Sequence, residues 1–290
     1  MQPALAAIIG RVLGSAVRGS RAITGGDINQ AHAVSLADGR EVFVKTNPSA
    51  PRTMFPAEAR GLAWLAEARV LRVPRVLAVS EIDALGPSFL VLELIEPGPP
   101  ARDFQQILGR GLAALHRFGA PGFGLGDDNF IGRLPQSNRS VDGDWTDFYR
   151  ERRLRAQLKT AVDSGRASAR MRQGFDRLFD RLDELVGPPE PPSRLHGDLW
   201  GGNLMCDSDG APCLIDPAVY GGHREVDLAM MRLFGGFGSR VFDAYEEAAP
   251  LSDGHAERVP LYQLYPLLVH VNLFGGSYVG AVESALSQLV

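Results

Sequence analysis

The sequence predicts an α+β chain of two lobes, with a small antiparallel sheet in the N-terminal lobe and a larger, mostly helical C-terminal lobe. Three observations favour this class. Short apolar runs joined by tight turns fill the first 95 residues, a proline- and glycine-rich stretch follows at 96–100, and amphipathic helical patterns dominate the remainder. We therefore place the first lobe at 1–95 and the second at 96–290.

The composition is that of a soluble globular protein, with 45% hydrophobic and 22% charged residues and a net charge of -4. This balance provides no basic surface for nucleic acid or for an anionic membrane. No run of 18 or more apolar residues occurs, so no membrane span is expected. Two cysteines, Cys206 and Cys213, favour free thiols in a cytoplasmic protein, with a cross-strand redox pair as the alternative.

The first lobe opens with a helix and a hairpin. Apolar residues recur at helical spacing over 1–17, and because the segment has no positively charged beginning it predicts a packed helix and not a signal peptide. The runs 31–36 and 41–45 flank Asp38-Gly39, a dipeptide typical of hairpin turns. Two antiparallel strands are therefore expected here.

Four residues of the first lobe are candidates for binding phosphate groups. Gly25 and Gly26 lie in the loop that enters the hairpin, where backbone N–H groups can approach phosphate oxygens. Lys45 closes an apolar strand, so its ammonium is either a solvated strand end or a phosphate ligand. A helix predicted over 55–71 carries Glu58 in its first turn, where the carboxylate either interacts with the helix dipole or pairs with Lys45.

A change in composition marks the end of the first lobe. Apolar runs at 76–79 and 89–94 predict the last strands of the sheet, and the proline-rich stretch after them predicts a hinge. Glu93, Leu94 and Ile95 lie just before this hinge. Their backbone groups are expected to face a purine base.

Helical patterns recur in the second lobe over 103–118, 145–158 and 175–185, with two or three more helices from 226 to 290. His116, on the first of them, is expected to be structural. A cluster of four arginines on the second is expected to form a solvated face: Arg150, Arg152, Arg153 and Arg155.

Three polar residues that catalysis could use lie within 195–217, namely Asp198, Asn203 and Asp216. Short apolar runs on both sides of a turn at 207–210 predict a β-hairpin. Such a hairpin would bring Asn203 and Asp216 side by side, with Asp198 on the loop that leads into it. The alternative is an ordinary hairpin turn rich in aspartate, asparagine and glycine.

These residue types together predict phosphoryl transfer. The Asp216 carboxylate and the Asn203 amide suit a hard cation such as Mg²⁺, which takes few protein oxygens and leaves room for phosphates. A second carboxylate, Asp198, can accept a hydroxyl proton. The same set of an aspartate, an asparagine and a metal-binding aspartate forms the kinase catalytic loop.

Beyond this chemistry, the chain resembles the fructosamine/ketosamine-3-kinases, within the aminoglycoside- and choline-kinase-like group of the protein-kinase-like fold. The narrowest motif is His-Gly-Asp-Leu-Trp-Gly-Gly-Asn at 196–203, followed by Ile-Asp-Pro at 215–217. Further matching blocks occur in the same order along the chain, at 25–28, 42–45, 58–62, 128–132, 222–229 and 272–276. The resemblance thus covers nearly the whole chain.

The resemblance implies that ATP, with Mg²⁺, phosphorylates the 3-hydroxyl of a ketosamine, a sugar joined to an amine by glycation. The 3-phosphate is unstable, so the sugar would leave and the amine would be repaired. The acceptor would be a free or a protein-bound glycated amine. Two alternatives stay open: a kinase for an aminoglycoside, choline or another amino-alcohol, and a nucleotide-binding pseudokinase.

Four residues are candidates for the acceptor pocket. Trp200 is either a packing residue or a flat wall for a sugar or an amine-bearing side chain. The weaker candidates are His223, His270 and Asn272.

The chain departs from protein kinases where those enzymes are regulated. Gly197 stands in the position of their catalytic-loop arginine, and Asp227 lies only eleven positions after Asp216. The sequence therefore predicts an enzyme that is active as synthesised. Asp227 opens a helical pattern, where it serves either as an N-cap or as a brace for the catalytic loop.

Overall fold

The computed structural model of the protein describes residues 1–23, 29–82, 86–139 and 143–290. This part of the chain has the predicted α+β architecture, with a five-stranded antiparallel sheet, three two-stranded sheets and many helices. Within the same residues, no helix is long and apolar enough to cross a membrane.

Two compact units make up the chain. The first contains Met1–Phe104 and Met205–Asp216, and the second contains Gln105–Leu204 and Pro217–Val290. The lobe boundary after residue 95 stays a prediction. The first compact unit continues past residue 95 to Phe104. It also includes Met205–Asp216, which is most of the predicted catalytic hairpin.

The first unit is built on the five-stranded sheet. Its elements are α1 Pro3–Leu13, β1 Val17–Ile23, β2 Gln30–Leu36, β3 Glu41–Thr46, α2 Met54–Ala66, β4 Val76–Val79 and β5 Phe89–Glu93. The strands follow the order β1-β2-β3-β5-β4, and every neighbouring pair is antiparallel. Strand β3 therefore lies in the middle of the sheet.

The alternation of side chains along β3 determines where Lys45 points. Val42 and Val44 pack in one apolar cluster with residues of α1. Phe43 packs in a different cluster with Phe55 of α2. Because successive side chains of a strand point to opposite faces, Lys45 shares the face of Phe43. Its ammonium is therefore directed toward α2.

The other elements are mostly helices of the second unit. They are α3 Phe104–Phe118, β6 Asn129–Ile131, β7 Leu134–Gln136, α4 Trp145–Phe148, α5 Ala156–Asp163, α6 Ala169–Leu185, β8 Ser193–Leu195, β9 Leu204–Cys206, β10 Pro212–Leu214, β11 Tyr220–Gly222, α7 Glu225–Phe234, α8 Ser239–Ala248, α9 His255–Phe274 and α10 Val279–Leu289. Apolar residues of α6, α9 and α10 form the main core of this unit. Strand β8 pairs with β11, which holds the segment before the catalytic loop.

The predicted solvated arginine face is wrong at Arg153. A seven-residue π-helix, Tyr149–Arg155, interrupts the predicted helix and turns this side chain inward, where it is fully buried. Its guanidinium lies 3.8 Å from the centre of the Tyr220 ring and donates to the Ser137 carbonyl and the Asn138 side chain, each at 2.7 Å. Aromatic faces and neutral oxygens thus replace water around this cation.

The predicted catalytic hairpin is present as β9 and β10, with its arms within a residue of the predicted ones at 203–206 and 213–215. The turn closes when Gly210 N–H donates to the Asp207 carbonyl at 2.9 Å. Both cysteines are free, Cys206 half-buried and Cys213 buried. Burial raises the pKa of Cys213 to about 12, so this thiol is protonated and unreactive near neutral pH.

Candidate active site

Two carboxylates of the first unit, those of Glu58 and Asp216, contact the ammonium of Lys45. This ammonium lies 2.7 Å from Glu58 Oε1 and also contacts Asp216 Oδ1. The side chain of Lys45 is buried and that of Glu58 is half-buried, whereas that of Asp216 is 43% exposed. The predicted ion pair between Lys45 and Glu58 is therefore present. Asp216, 171 residues away along the chain, joins it.

The position of Glu58 follows from where α2 begins. The sequence predicts Glu58 in the first turn of this helix. In the structure the helix starts at Met54, so Glu58 lies beyond the first turn. The helix dipole acts mainly within the first turn. The ion pair with Lys45, and not the dipole, therefore accounts for this carboxylate.

The charge of Lys45 is stable at neutral pH. Burial alone would lower the pKa of Lys45, but the carboxylates of Asp216 and Glu58 outweigh burial and hold that pKa above its ordinary value. A fixed, buried ammonium is the group that kinases direct at nucleotide phosphates. The role of Lys45 in binding ATP stays a prediction.

Asp216 has an unusual backbone conformation. Its φ angle is 54°, in the left-handed region that few residues other than glycine adopt. Aspartate and asparagine tolerate this region better than other residues because their short polar side chains bond locally. The conformation turns the chain out of β10 and places the carboxylate against Lys45. Backbone strain of this kind is concentrated at functional residues.

In the second unit, Asp198 lies on the loop before the hairpin and contacts Asn203. Asn203 Nδ2 donates to Asp198 Oδ2 at 3.0 Å and to the Asp198 carbonyl at 2.8 Å. Asn203 ends a short 3-10 helix, Gly201–Asn203, which turns its amide back toward the loop. Since Nδ2 faces Asp198, a cation would bind through Oδ1. The adjacency of Asn203 and Asp216 stays a prediction, because the two belong to different units.

Asp227 braces the catalytic loop. Helix α7 begins at Glu225, so the N-cap explanation is wrong. The buried carboxylate of Asp227 accepts from the backbone N–H groups of His196 at 2.8 Å and Gly197 at 2.9 Å. Burial would raise the pKa of Asp227, but His116 and these N–H groups hold it below its ordinary value. His116 has the expected structural role, between Asp227 and Tyr245.

Backbone packing explains why Gly197 stands where protein kinases have arginine. Its φ angle is 81°, and a Cβ atom here would collide with the carbonyl of Ala218. Ala218 also hydrogen-bonds the loop, because its N–H group donates to the His196 carbonyl at 2.9 Å. A larger residue at this position would displace the loop that carries Asp198.

Trp200 belongs to a patch of ring-bearing residues on the second unit. We call this the aromatic patch, defined by Trp200, Phe234, His270, Phe274 and Tyr278. The His270 ring lies 4.5 Å from Phe234, 5.4 Å from Phe274 and 4.9 Å from Tyr278, and Trp200 contacts Phe234 edge-on at 6.4 Å. Trp200 and Phe274 are 41% and 50% exposed. Exposed rings of this kind form a surface for a ligand with an apolar or cationic face.

A glycine determines how the Trp200 indole lies. A Cβ atom on Gly202 would fall within 2.7 Å of three indole atoms. The indole therefore folds back over Gly202, and only glycine leaves room for it. This contact explains why a glycine follows so closely after the tryptophan.

The two remaining acceptor candidates lie in the interior of the second unit. His223 is buried, stacks on the Tyr262 ring at 5.3 Å and accepts from Glu225 N–H. Asn272 is also buried and donates to the carbonyl and side chain of Gln157. Their assignment to the acceptor stays a prediction that this burial disfavours.

The predicted purine- and phosphate-binding segments are only partly described. Gly25 and Gly26 lie outside the described residues. Glu93 N–H donates to the Arg75 carbonyl at 2.9 Å, so this group is already used within the sheet. Leu94 is half-buried and Ile95 buried, and their backbone groups remain the candidates for a purine.

Sequence reasoning missed two features. The first is the contribution of Phe234 and Tyr278 to the aromatic patch. Helical spacing indicates only that His270 and Phe274, four residues apart on α9, share a face, and it gives no signal for Phe234 or Tyr278. The second is the ion-pair partner of the hairpin turn, Arg72, for which the sequence offers no local signal.

Asp216 in the first unit and Asn203 in the second unit each carry an oxygen of the kind that Mg²⁺ binds. Among the residues that the structure describes, no group of three or more histidines, cysteines, aspartates or glutamates could hold a metal ion. One carboxylate from Asp216 and one amide oxygen from Asn203 are too few for a complete protein cage. Mg²⁺ characteristically takes one or two protein ligands and completes its coordination with phosphates and water.

Replacing Tyr220 by phenylalanine should leave kcat within about twofold of the wild-type value. Tyr220 is the only hydroxyl-bearing residue between Asp216 and Asp227. It is fully buried in β11 opposite Leu195, so no modifying enzyme can reach it in the folded protein. Kinetics of Tyr220→Phe, and of wild-type protein after phosphatase treatment, measure this. A large loss in both experiments would contradict activity without phosphorylation.

Comparison with known proteins shows the family. The family model described as fructosamine kinase matches residues 1–290. A chloroplastic protein-ribulosamine 3-kinase of Arabidopsis thaliana is 39% identical over 92% of this chain and 81% of its own. The crystal structure of a Thermobifida fusca protein described as a fructosamine-3-kinase superposes with a TM-score of 0.89 at 38% identity, covering 99% of both chains.

A more distant structure supports the fold alone. The choline kinase of Streptococcus pneumoniae superposes with a TM-score of 0.64 at 16% identity, covering 98% of this chain and 97% of its own. The predicted protein-kinase-like fold is therefore confirmed.

Proposed function

Because this chain belongs to the fructosamine kinase family and is an ATP-dependent phosphotransferase, we propose how its own residues carry out the reaction. The reaction transfers the γ-phosphate of ATP to the 3-hydroxyl of a ketosamine, a step in deglycation. The observation that carries the residue assignment is the cluster in which the buried Lys45 ammonium contacts the carboxylates of Glu58 and Asp216.

Lys45 and Glu58 act on the nucleotide. The Lys45 ammonium binds oxygens of the α- and β-phosphates, and Glu58 holds the amine in place. The Lys45 ammonium lies 2.7 Å from Glu58 Oε1, so this carboxylate fixes the position of the charge. Preorganised charge of this type contributes to phosphoryl transfer mainly by positioning.

Asp216 and Asn203 are the proposed ligands for Mg²⁺, through a carboxylate and an amide oxygen. When bound, the ion neutralises charge on the β- and γ-phosphates. Asp216 contributes the negative charge, and its left-handed backbone fixes the direction of the carboxylate. Asn203 contributes a neutral oxygen and keeps Asp198 oriented through its Nδ2 group.

Asp198 accepts or orients the proton of the acceptor hydroxyl. Its carboxylate is held by Asn203, and the loop that carries it is held by Asp227. A proton acceptor must lie within hydrogen-bond reach of its hydroxyl. The two braces maintain that geometry before the acceptor arrives.

The aromatic patch is the proposed acceptor surface. Trp200 lies two residues after Asp198, so a sugar placed against the indole would present a hydroxyl near the carboxylate. The protonated amine of a ketosamine is a cation that aromatic rings attract. Because Trp200 and Phe274 are exposed, the patch is open to a glycated lysine on a protein as well as to a free glycated amine.

An acceptor comparison tests the proposed function. Purified protein is given MgATP with a fructosamine, an aminoglycoside or choline, and ADP release is measured for each. We expect turnover with the fructosamine alone, and phosphorus NMR should place the new phosphate on the 3-oxygen. Turnover with only the aminoglycoside or choline would contradict the ketosamine assignment. Absence of turnover with all three would favour a pseudokinase.

Glu58→Gln should raise the KM for ATP by about tenfold, equivalent to ~1.4 kcal/mol, and leave the KM for the acceptor nearly unchanged. The substitution keeps the shape of the side chain but removes the charge that holds Lys45. Steady-state kinetics with each substrate varied in turn measure the two constants. Glu67→Gln, on an exposed residue at the end of the same helix, is the matched control. An unchanged KM for ATP would contradict the role of Glu58.

A further inference from the structure

Arg72 joins the hairpin turn of the first unit to the end of its central sheet. Its Nη1 group donates to Asp207 Oδ2 at 2.5 Å, and its Nη2 group donates to Glu93 Oε1 at 2.7 Å. Asp207 opens the turn between β9 and β10, and Glu93 is the last residue of β5. One planar cation therefore bridges the predicted purine-binding segment and the hairpin that ends at Asp216.

The backbone of Arg72 contacts the other arm of the same hairpin. Its carbonyl accepts from Leu214 N–H at 2.9 Å, and Arg72 forms a parallel β-bridge with Cys213. Leu214 is two residues before Asp216. Arg72 thus holds the turn through its side chain and the strand that delivers Asp216 through its main chain.

The Asp207 carboxylate is fully committed to this arrangement. Its Oδ1 atom accepts from the N–H groups of Asp209 at 3.0 Å and Ala211 at 2.9 Å, while Oδ2 accepts from Arg72. The side chain is only 3% exposed. A buried carboxylate without its cation is strongly unfavourable, so loss of Arg72 would disturb the turn. The guanidinium fits because its fork can serve two carboxylates at fixed angles.

We propose that Arg72 is a positioning residue for MgATP, which couples the purine-binding end of β5 to the position of the metal-binding Asp216. This inference rests on the proposed roles of Asp216 and the segment after Glu93. Arg72 contacts neither nucleotide nor metal in this assignment. It acts by fixing the hairpin, and through it the distance between Asp216 and Lys45.

A purely structural role would have a different signature. If Arg72 only stabilised the unit, its removal would lower the melting temperature and weaken nucleotide binding equally with and without Mg²⁺. If Arg72 positions Asp216, the loss must be larger with Mg²⁺, because only then does Asp216 contribute to binding. The metal dependence of nucleotide affinity therefore separates the two.

Calorimetric titration with the non-hydrolysable analogue AMP-PNP, in Mg²⁺ and in EDTA, provides this measurement. For Arg72→Met we expect affinity to fall about tenfold in Mg²⁺, or ~1.4 kcal/mol, and less than threefold in EDTA. Arg72→Lys should recover part of the loss, since one amine can reach only one carboxylate. Asp207→Asn keeps an oxygen that can accept from the N–H groups of the turn, but it removes the charge that pairs with Arg72. It should therefore behave like Arg72→Met, so the test can still be made if one of the two variants fails to fold.

Arg75→Met is the matched control. Arg75 contacts the same Glu93 at 3.4 Å, but its side chain is 78% exposed and it has no contact with the hairpin among those described here. Its removal should leave affinity unchanged in both conditions. Equal losses for Arg72→Met in Mg²⁺ and in EDTA would overturn the positioning role. If wild-type protein binds AMP-PNP no better with Mg²⁺ than with EDTA, the proposed metal role of Asp216 fails instead.

Discussion

Asp216→Ala is expected to lower kcat at least a thousandfold, about 4 kcal/mol in the activation barrier, while the protein stays folded. The carboxylate is the only negatively charged ligand proposed for Mg²⁺, and metal ions contribute several kcal/mol to such transition states. Alanine also disfavours the left-handed φ of 54°, by roughly 1 kcal/mol. Asp216→Asn tolerates that conformation and isolates the loss of charge. Saturating kinetics with circular dichroism measure both effects.

The matched control is Asp209→Asn, which removes an exposed carboxylate from the turn of the same hairpin. Its kcat should equal the wild-type value. If Asp216→Ala retained more than about a tenth of wild-type kcat, a barrier change of only ~1.4 kcal/mol, a different carboxylate would have to hold the metal.

Asp198→Asn should lower kcat by roughly 10²- to 10⁴-fold, the range of general acid–base catalysis, with little change in nucleotide affinity. The substitution keeps the size of the side chain but removes its ability to accept a proton. Rapid-quench kinetics and AMP-PNP titration separate the chemical step from binding. Asp243→Asn, an exposed carboxylate on α8, controls for net charge. If AMP-PNP binding weakened while kcat was preserved, Asp198 would contribute to binding the nucleotide phosphates and not to proton transfer.

The parts of the fold set by local pattern could be predicted from sequence. Apolar alternation and the Asp38-Gly39 turn located β2 and β3 nearly to the residue. The sequence leaves two roles open for Lys45 and two for Glu58. The packing of Phe43 against α2, which places Lys45 on the same face, decides in favour of the ion pair. The contact of Asp198 with Asn203, five residues further along, also depends only on a short loop.

Features that depend on distant packing could not be predicted in this way. The cluster of four arginines that includes Arg153 has the composition of an exposed face. Only the π-helix, the adjacent Phe148 ring and the distant rings of Tyr220 and Tyr265 make the Arg153 guanidinium an interior group. The same holds for Arg72, whose partners Glu93 and Asp207 lie 21 and 135 residues away. No periodicity or motif carries information at that separation.

The placement of 205–216 in the first unit has a consequence for biosynthesis. A ribosome delivers the chain N-terminus first, so Lys45 leaves the tunnel 171 residues ahead of Asp216. Until Asp216 has been synthesised, the Lys45 ammonium can pair only with Glu58. Arg72 likewise lacks its two partners in the hairpin, the Asp207 carboxylate and the Leu214 N–H group. Contacts at such long range close slowly because the intervening loop must first lose its entropy. The first unit, although its sheet is encoded first, therefore cannot become complete until the whole of Gln105–Leu204 has also been synthesised.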